Sequence, residues 1–310
     1  MNENKDDLIV SVRPDTFDKV KGNTEILDSI KSLLKDRKTC PHVFLLHGPT
    51  GCGKTTIGRI LATELGVVGR DFIEINSSNF RGIDTIRDII DNSRYAPVEG
   101  AVRVYLMDEC HKLTGDAQTA ALKFLEDTPN HIYVILCTTN PEKLLKEFKG
   151  RCTQYQVQVL SESQMTGLVR RTVREIGETL DAEVIEAIVK SSDGYPRGAL
   201  KTLEKVLSLP AENRLAAAKV KEEEATAVLE LSRALIKPGV AWKEVSVILK
   251  GLKGMDAEEI RRNVLGYCSA VLLSGGNVSD QAAAVIECFW EPTYNIGMPG
   301  IVFQCYNAIK

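Results

Sequence analysis

Gly48-Pro-Thr-Gly-Cys-Gly-Lys-Thr55 has the residue types and spacing to hold phosphate. Gly51 and Gly53 let the backbone curl so that its N–H groups converge on phosphate oxygens. A helix opening at Thr56 adds the partial positive charge of its N-terminus. Lys54 then reaches the β and γ phosphates, and Thr55 offers a hydroxyl to Mg²⁺. An apolar run at residues 43–46 precedes the loop, so the motif sits between a strand and a helix as it must. A glycine-rich turn with no ligand is the ordinary alternative, and these flanking elements decide against it. The pattern points to a nucleoside triphosphate.

A second group follows one strand and helix later. Val102-Arg-Val-Tyr-Leu-Met-Asp-Glu109 is an apolar run ending in two carboxylates, the pattern of a Walker B element. At a strand tip Asp108 would hold Mg²⁺ through water, while Glu109 would orient and polarise an attacking water. An Asp-Glu pair after a strand is often only a loop start, and its distance from Lys54 is what favours chemistry. A carboxylate after the metal ligand also favours hydrolysis over transfer to a small substrate. The next run ends Thr138-Thr-Asn-Pro141, where a polar residue could face the terminal phosphate, although such residues begin loops everywhere. Arg151 and Arg197 are further candidates. Lone arginines are usually solvated, but arginine is also the residue that stabilises charge on a transferring phosphoryl group.

These groups need a scaffold. Apolar β-rich runs at 43–46, 72–75, 102–107 and 132–137 alternate with helical patterns at 24–34, 56–65, 83–91 and 115–125. That alternation predicts an α/β fold, a parallel sheet with helices on both faces, over residues 1–159. Ser161 with Gln164 forms an N-cap signature, opening a small helical lid over residues 160–210 with helices at 165–176, 182–190 and 198–207. Residues 211–310 read as helical throughout, with breaks at 237–239, 251–254 and 274–277.

The bulk numbers limit the class. At 310 residues, 44% hydrophobic and 26% charged, the chain has room for two or three domains. A net charge of −3 excludes a surface that grips nucleic acid all over, leaving at most a local basic stripe. Neither a secretory signal nor a membrane span is evident, and the expected location is the cytoplasm. The eight cysteines show no paired spacing and read as free thiols. His42, His47, His111 and His131 lack metal spacing and read as structural, and Trp242 and Trp290 as packing residues.

Four segments then resemble one family. Glu74-Ile-Asn-Ser-Ser-Asn-Phe-Arg-Gly-Ile-Asp-Thr-Ile-Arg87, Tyr95-Ala-Pro97, Asp108-Glu-Cys-His-Lys-Leu113 and Ala121-Leu-Lys-Phe-Leu-Glu126 are similar to sliding-clamp loader AAA+ ATPases. The nearest types are the gamma/tau subunit of bacterial DNA polymerase III and the small subunits of replication factor C. The likeness spans about residues 8–207. The last third resembles the family's helical collar, an oligomerisation domain, in length and helical character only.

The resemblance implies ATP and Mg²⁺ as ligands, held by Pro49, Thr50, Gly51, Cys52, Gly53, Lys54, Thr55 and Thr56, with Asp108 and Thr55 on the metal. It implies Glu109 as the catalytic carboxylate, Thr139 as first sensor and Arg197 as second sensor. Arg151 matches the finger inserted into a neighbour's site, and Arg13, Pro14 and Val20 match the lining of the adenine pocket. Ser77, Arg81, Thr85 and Arg87 fall where the family touches DNA backbone, and Tyr95-Ala-Pro-Val98 is a candidate clamp contact. Such phosphate contacts carry no sequence information. The implied assembly is a spiral of about five loader subunits, acting on a sliding clamp and primer–template DNA at the replisome.

Some positions depart from the family. Gly150 replaces the serine before the finger, Ser11-Val12 replaces a lysine-aromatic pair, Gly22-Asn23 stands for Gly-Gln, and a zinc-binding insertion is missing after Leu65. Two other functions fit the core motifs. One is a non-hydrolysing scaffold of the same assembly, against which the intact Lys54, Thr55, Asp108 and Glu109 argue. The other is a branch-migration motor, which would require a winged-helix C-terminus with a β-hairpin.

Overall fold

The computed structural model describes residues 8–77 and 82–310, and the chain divides into two compact units, residues 1–215 and 216–310. The first unit is built on five strands: β1 (Val43–His47), β2 (Phe72–Asn76), β3 (Arg103–Asp108), β4 (Ile132–Thr138) and β5 (Thr153–Gln156). All pair in parallel, in the order β2-β3-β4-β1-β5. The helices of this unit are α1 (Leu8–Ser11), α2 (Thr24–Leu34), α3 (Lys54–Glu64), α4 (Ile83–Ser93), α5 (Gly115–Glu126) and α6 (Lys146–Gly150). They continue with α7 (Glu162–Glu175), α8 (Ala182–Lys190) and α9 (Pro196–Leu207).

Period-two alternation sends each strand's side chains to two different cores. Phe44, Leu46, Val104, Leu106, Ile135 and Cys137 pack with Ile57, Ile60 and Leu61 of α3 on one face. Val43, Leu45, Tyr105, Met107, Val134 and Leu136 pack with Ile86, Ile89, Ala121 and Phe148 on the other. Both faces are therefore covered, which is why the central strands read as unbroken apolar runs.

The fifth strand is absent from the sequence reading. Thr153-Gln-Tyr-Gln156 alternates half-buried with exposed residues at the sheet edge, so no apolar run marks it. Its pairing with β1 and the Tyr155–Ser29 hydroxyl contact (3.1 Å) fix it there.

The lid helices follow their local signals. Ser161 and Gln164 cap the start of α7 reciprocally, Ser161 Oγ accepting from Gln164 N while Gln164 Oε1 accepts from Ser161 N. Pro196, tolerated in a first turn because its missing N–H has no helical partner, opens α9.

The long helix α10 (Ala211–Leu235) begins in the first unit and supplies most of its length to the second. The second unit continues with α11 (Trp242–Gly251), α12 (Ala257–Ser274), α13 (Ser279–Cys288) and α14 (Met298–Ala308). Its core gathers Leu231, Val245, Leu252, Ile260, Val264, Phe289 and Ile301. A break at residues 289–297 was not expected from sequence. Glu258 holds it, accepting from Thr293 N (3.1 Å) and from Arg261 Nε (2.9 Å), while Arg261 Nη1 donates to Phe289 O (2.8 Å). That carboxyl is held down at about 2 chiefly by its hydrogen bonds from Arg261. Trp290 corrects the packing expectation: it is 74% exposed on this loop, whereas Trp242 packs edge-on against Tyr306. No described helix is long and apolar enough to cross a membrane.

Candidate nucleotide and catalytic site

The phosphate loop lies at the carboxyl end of β1. The chain leaves His47 through Gly48, whose φ of +145° and backbone position would put a Cβ 2.1 Å from Val157 O, so only glycine fits. Gly51, also at positive φ, lies against the start of α9: its carbonyl accepts from Arg197 N at 3.3 Å, and a Cβ there would be 3.2 Å from Arg197 Cβ. The lid thus touches the loop through backbone at a point where a side chain would intrude.

Lys54 begins α3 and is buried, with Nζ donating to Gly48 O (2.9 Å) and Pro49 O (2.7 Å). Its ammonium is therefore kept inside the curl of the loop, where burial pushes its pKa below the ordinary lysine range. Thr55 Oγ1 donates to Asp108 Oδ2 at 2.9 Å, joining the first turn of α3 to the tip of β3. A hydroxyl and a carboxylate so placed are hard oxygen donors, and their number suits Mg²⁺, which takes few protein ligands and completes its shell with water and phosphate.

Glu109 follows at φ +54°, a left-handed conformation uncommon outside glycine. Its N–H donates to Asp108 Oδ1 (3.0 Å), so one carboxylate fixes the backbone of the other. Thr139 Oγ1 lies 3.3 Å from Glu109 Oε2 and 2.9 Å from Asn140 Oδ1. The tips of β3 and β4 meet here because the two strands are neighbours in the sheet.

A cavity of about 280 Å³ joins these groups to an apolar recess. Arg13, Pro14, Val20, Thr50, Gly51, Cys52, Gly53, Lys54, Thr55, Thr56, Asp108, Glu109 and Arg197 all line it. Pro49 contributes its carbonyl to Lys54 instead, and Thr139 reaches the site through Glu109. Ile9, Leu160, Leu168 and Leu200 also line the recess and escaped sequence reading, since isolated aliphatic residues carry no signal of a ligand. Arg59 and Glu74 were missed as well: they pair at 2.8 Å on the cavity wall. The sign of them was legible, because Arg59 lies four residues after Thr55 on one helix face and Glu74 interrupts an apolar strand.

Arg151 is placed elsewhere. It follows α6 at the amino end of β5, donating to Glu126 Oε2 (2.9 Å) and to Glu147 O (3.0 Å), beside Pro41, His42 and Thr153. It does not line the cavity of its own chain.

The nucleic-acid set divides. Arg87 is exposed and paired with Asp84 at 3.2 Å, and Thr85 is half-buried. Ser77 corrects the expectation: it is fully buried beside the tip of β3, so its hydroxyl presents nothing to a surface ligand. Arg81 lies outside the described residues. Tyr95 and Val98 are 70% and 72% exposed.

Histidine placement gives a further correction. His42 stacks on Tyr133 and His131 faces the carbonyls of Ser93 and Tyr95, both packing roles. His111 is at the site itself, its Nδ1 lying 3.0 Å from Thr138 Oγ1 and 3.3 Å from Glu109 Oε2. The eight cysteines are free thiols.

A family profile described as the DNA polymerase III delta subunit matches residues 68–161. The DNA polymerase III subunit gamma of Buchnera aphidicola (subspecies Schizaphis graminum) is 33% identical over 65% of this chain and 61% of its own length. The gamma/tau subunit of Mycobacterium bovis is 30% identical over 63% of this chain and 38% of its own, and the tau subunit of Escherichia coli K12 30% over 63% and 34%. The chain therefore matches less than two thirds of the length of these relatives. Among solved structures, the Thermotoga maritima RuvB Holliday junction branch migration motor superposes with a TM-score of 0.60 at 18% identity, over 77% of this chain and 85% of RuvB, a likeness of fold. Residues 68–161 thus resemble a DNA polymerase III subunit family, nearly two thirds of the chain resembles gamma and tau subunits, and the phosphate loop, the Asp108–Glu109 tip and the five-stranded parallel sheet accord with that likeness.

Proposed function

We propose that this chain is an ATPase subunit of a clamp loader, hydrolysing ATP at interfaces between subunits to open a sliding clamp and load it onto primer–template DNA. The observation that carries the reading is the division of the site between the two ends of the sheet. Lys54, Thr55, Asp108 and Glu109 gather at the carboxyl ends of the strands, whereas Arg151 projects at the amino end of β5. An arginine so placed serves a neighbour's nucleotide.

Thr55 and Asp108 would hold Mg²⁺, which when bound neutralises phosphate charge. Lys54 supplies a buried cation to the phosphates, and the apolar recess at Val12, Pro14 and Val20 takes the adenine. Glu109 accepts hydrogen bonding from the attacking water, and Thr139 stands beside its carboxylate at the tip of β4. Arg197, whose backbone is bonded to Gly51, brings the lid's charge to the phosphates. Arg87 and Thr85 lie on α4 as contacts to DNA phosphate, and exposed Tyr95 and Val98 suit a clamp. Such a subunit works in the cytoplasm at the replisome, with companion subunits in a spiral of about five.

The branch-migration reading is disfavoured by residues 216–310, whose described elements are all helices with no β-hairpin. The test is the steady-state ATPase rate of the purified chain alone, with primer–template DNA, and with DNA plus clamp, beside Glu109→Gln. A low basal rate, strong stimulation by DNA and clamp, and a loss of about 10²–10⁴-fold in the variant are expected. A rate indifferent to DNA and clamp would remove the loader reading.

A further inference from the structure

His111 has no part in the motif chemistry above, yet its environment is built for one. The side chain is 7% exposed, and its Nδ1 stands between Thr138 Oγ1 at 3.0 Å and Glu109 Oε2 at 3.3 Å. Thr138 is itself fully buried, and its Oγ1 accepts from Asn140 N at 3.1 Å. The one hydroxyl proton of Thr139 has two acceptors in reach, Asn140 Oδ1 at 2.9 Å and Glu109 Oε2 at 3.3 Å. If it goes to the nearer, Glu109 Oε2 depends on the imidazole.

A carboxylate only accepts hydrogen bonds, so a bare Nδ1 would face Oε2 lone pair to lone pair. A proton on Nδ1 removes that repulsion: it faces Thr138 Oγ1 at 3.0 Å, with Glu109 Oε2 beside it at 3.3 Å. Burial keeps the ring neutral by pushing its pKa below the ordinary histidine range. The second ring nitrogen then carries no proton, and the tautomer is fixed by the company of the first.

We propose that His111 is the positioning residue for Glu109: its Nδ1–H holds the Oε2 side of the carboxylate against the tip of β4, leaving Oε1 to address water. Glu109 sits at positive φ with its N–H tied to Asp108, so its backbone is fixed and only the carboxylate needs holding. The orientation of Glu109 is thereby coupled to Thr138, Thr139 and Asn140, and Asn140 Nδ2 in turn donates to Glu142 Oε1 at 2.9 Å. A shift of the β4 tip would release or seat the carboxylate. This rests on the proposed hydrolase reading for its consequence, but not for its geometry.

Two measurements on the full chain test it. Nitrogen-15 NMR of histidine-labelled protein, with four histidines and His111→Asn to assign the signal, reports the tautomer directly. Protonated Nδ1 whose resonance moves in Glu109→Gln is expected, and protonated Nε2 overturns the proposal. For kinetics, asparagine places an N–H donor where Nδ1 was, glutamine places one where Nε2 was, and alanine places none. His111→Ala and His111→Gln should lower kcat about ten- to a hundredfold with KM for ATP unchanged, the cost typical of losing an outer partner. His111→Asn should restore most of the rate. Equal losses in all three variants, or a change confined to KM, overturn the proposal. A wild-type chain that hydrolyses no ATP removes the proposed function, while the NMR result still decides where the imidazole proton sits.

Discussion

At the carboxyl ends of β1 and β3 the backbone departs from ordinary geometry within a few residues, with Gly48, Gly51, Gly53 and Glu109 all at positive φ. Lys54, Thr55, Asp108, Glu109 and Arg197 converge there on one cavity. At the amino ends of β1, β3, β4 and β5 the chain enters the strand with no residue at positive φ, and Arg151 rests on Glu126 and a backbone carbonyl in a shallow polar recess. Parallel strands produce this asymmetry, since every strand delivers its exit loop to the same edge. The five residues of β1, at about 3.3 Å each, separate the two edges by roughly 16 Å. In the proposed function, one edge binds within the chain and the other acts beyond it.

The largest break in that comparison is Lys54→Ala. It removes the buried ammonium from the phosphate loop, and both ATP binding by calorimetry and hydrolysis should fall to background. Arg151→Ala sharpens the comparison instead. ATP binding by the isolated chain should be unchanged, while stimulated hydrolysis in the assembly drops by about 10³-fold or more. Mixing Arg151→Ala with Lys54→Ala chains should recover part of the activity, because each supplies what the other lacks. Loss of binding in the isolated Arg151→Ala chain would place the arginine in its own site and end the contrast.

Asp71→Asn tests whether the loop behind the second edge strand is held independently of either end. Asp71 is fully buried, accepting from Val98 N, Glu99 N, Gly100 N and Arg103 Nε, and Arg103 binds the carbonyls of Asn92 and Ala96. Leaving that guanidinium without its carboxylate should cost about 3–5 kcal/mol in a denaturant titration. Burial opposes ionisation of Asp71, but the backbone N–H groups and Arg103 outweigh it and hold the carboxyl at about 2. Since the folded value lies below the ordinary 3.8, its stabilisation is fully present above about pH 4 and is lost as pH falls toward 2. Asp71→Asn should flatten that acid limb. The smallest effect belongs to Glu126→Ala, which frees Arg151 from a partner that is itself 61% exposed. Stability should change by less than about 1 kcal/mol.

Legibility followed the same division. The phosphate loop, the Asp108–Glu109 tip, the three inner strands and the apolar run of edge strand β2 could be read because each rests on local rules: glycines where the backbone must curl, apolar runs where faces are covered, a lysine beside a helix start. Edge strand β5 could not, since half its residues face water. Ser77 and Trp290 were misjudged for a related reason. Whether serine at a strand end or tryptophan in a helical region meets solvent depends on what the rest of the chain packs around it, and Glu258 decides that for the loop of Trp290.

Sequence by itself determined the α/β class and the phosphate-loop motif between its strand and helix, and it singled out the Asp108–Glu109 pair, because these are properties of short segments with fixed periodicity and spacing. Only the tertiary structure decided that β3 and β4 lie side by side, and with that adjacency that Thr138, Thr139 and His111 surround Glu109. It alone set Arg151 at the edge opposite Lys54, although the two are joined by β1 and its neighbours. Contacts between residues far apart in the chain are chosen by strand order, and strand order is settled by the burial of whole faces rather than by any local motif.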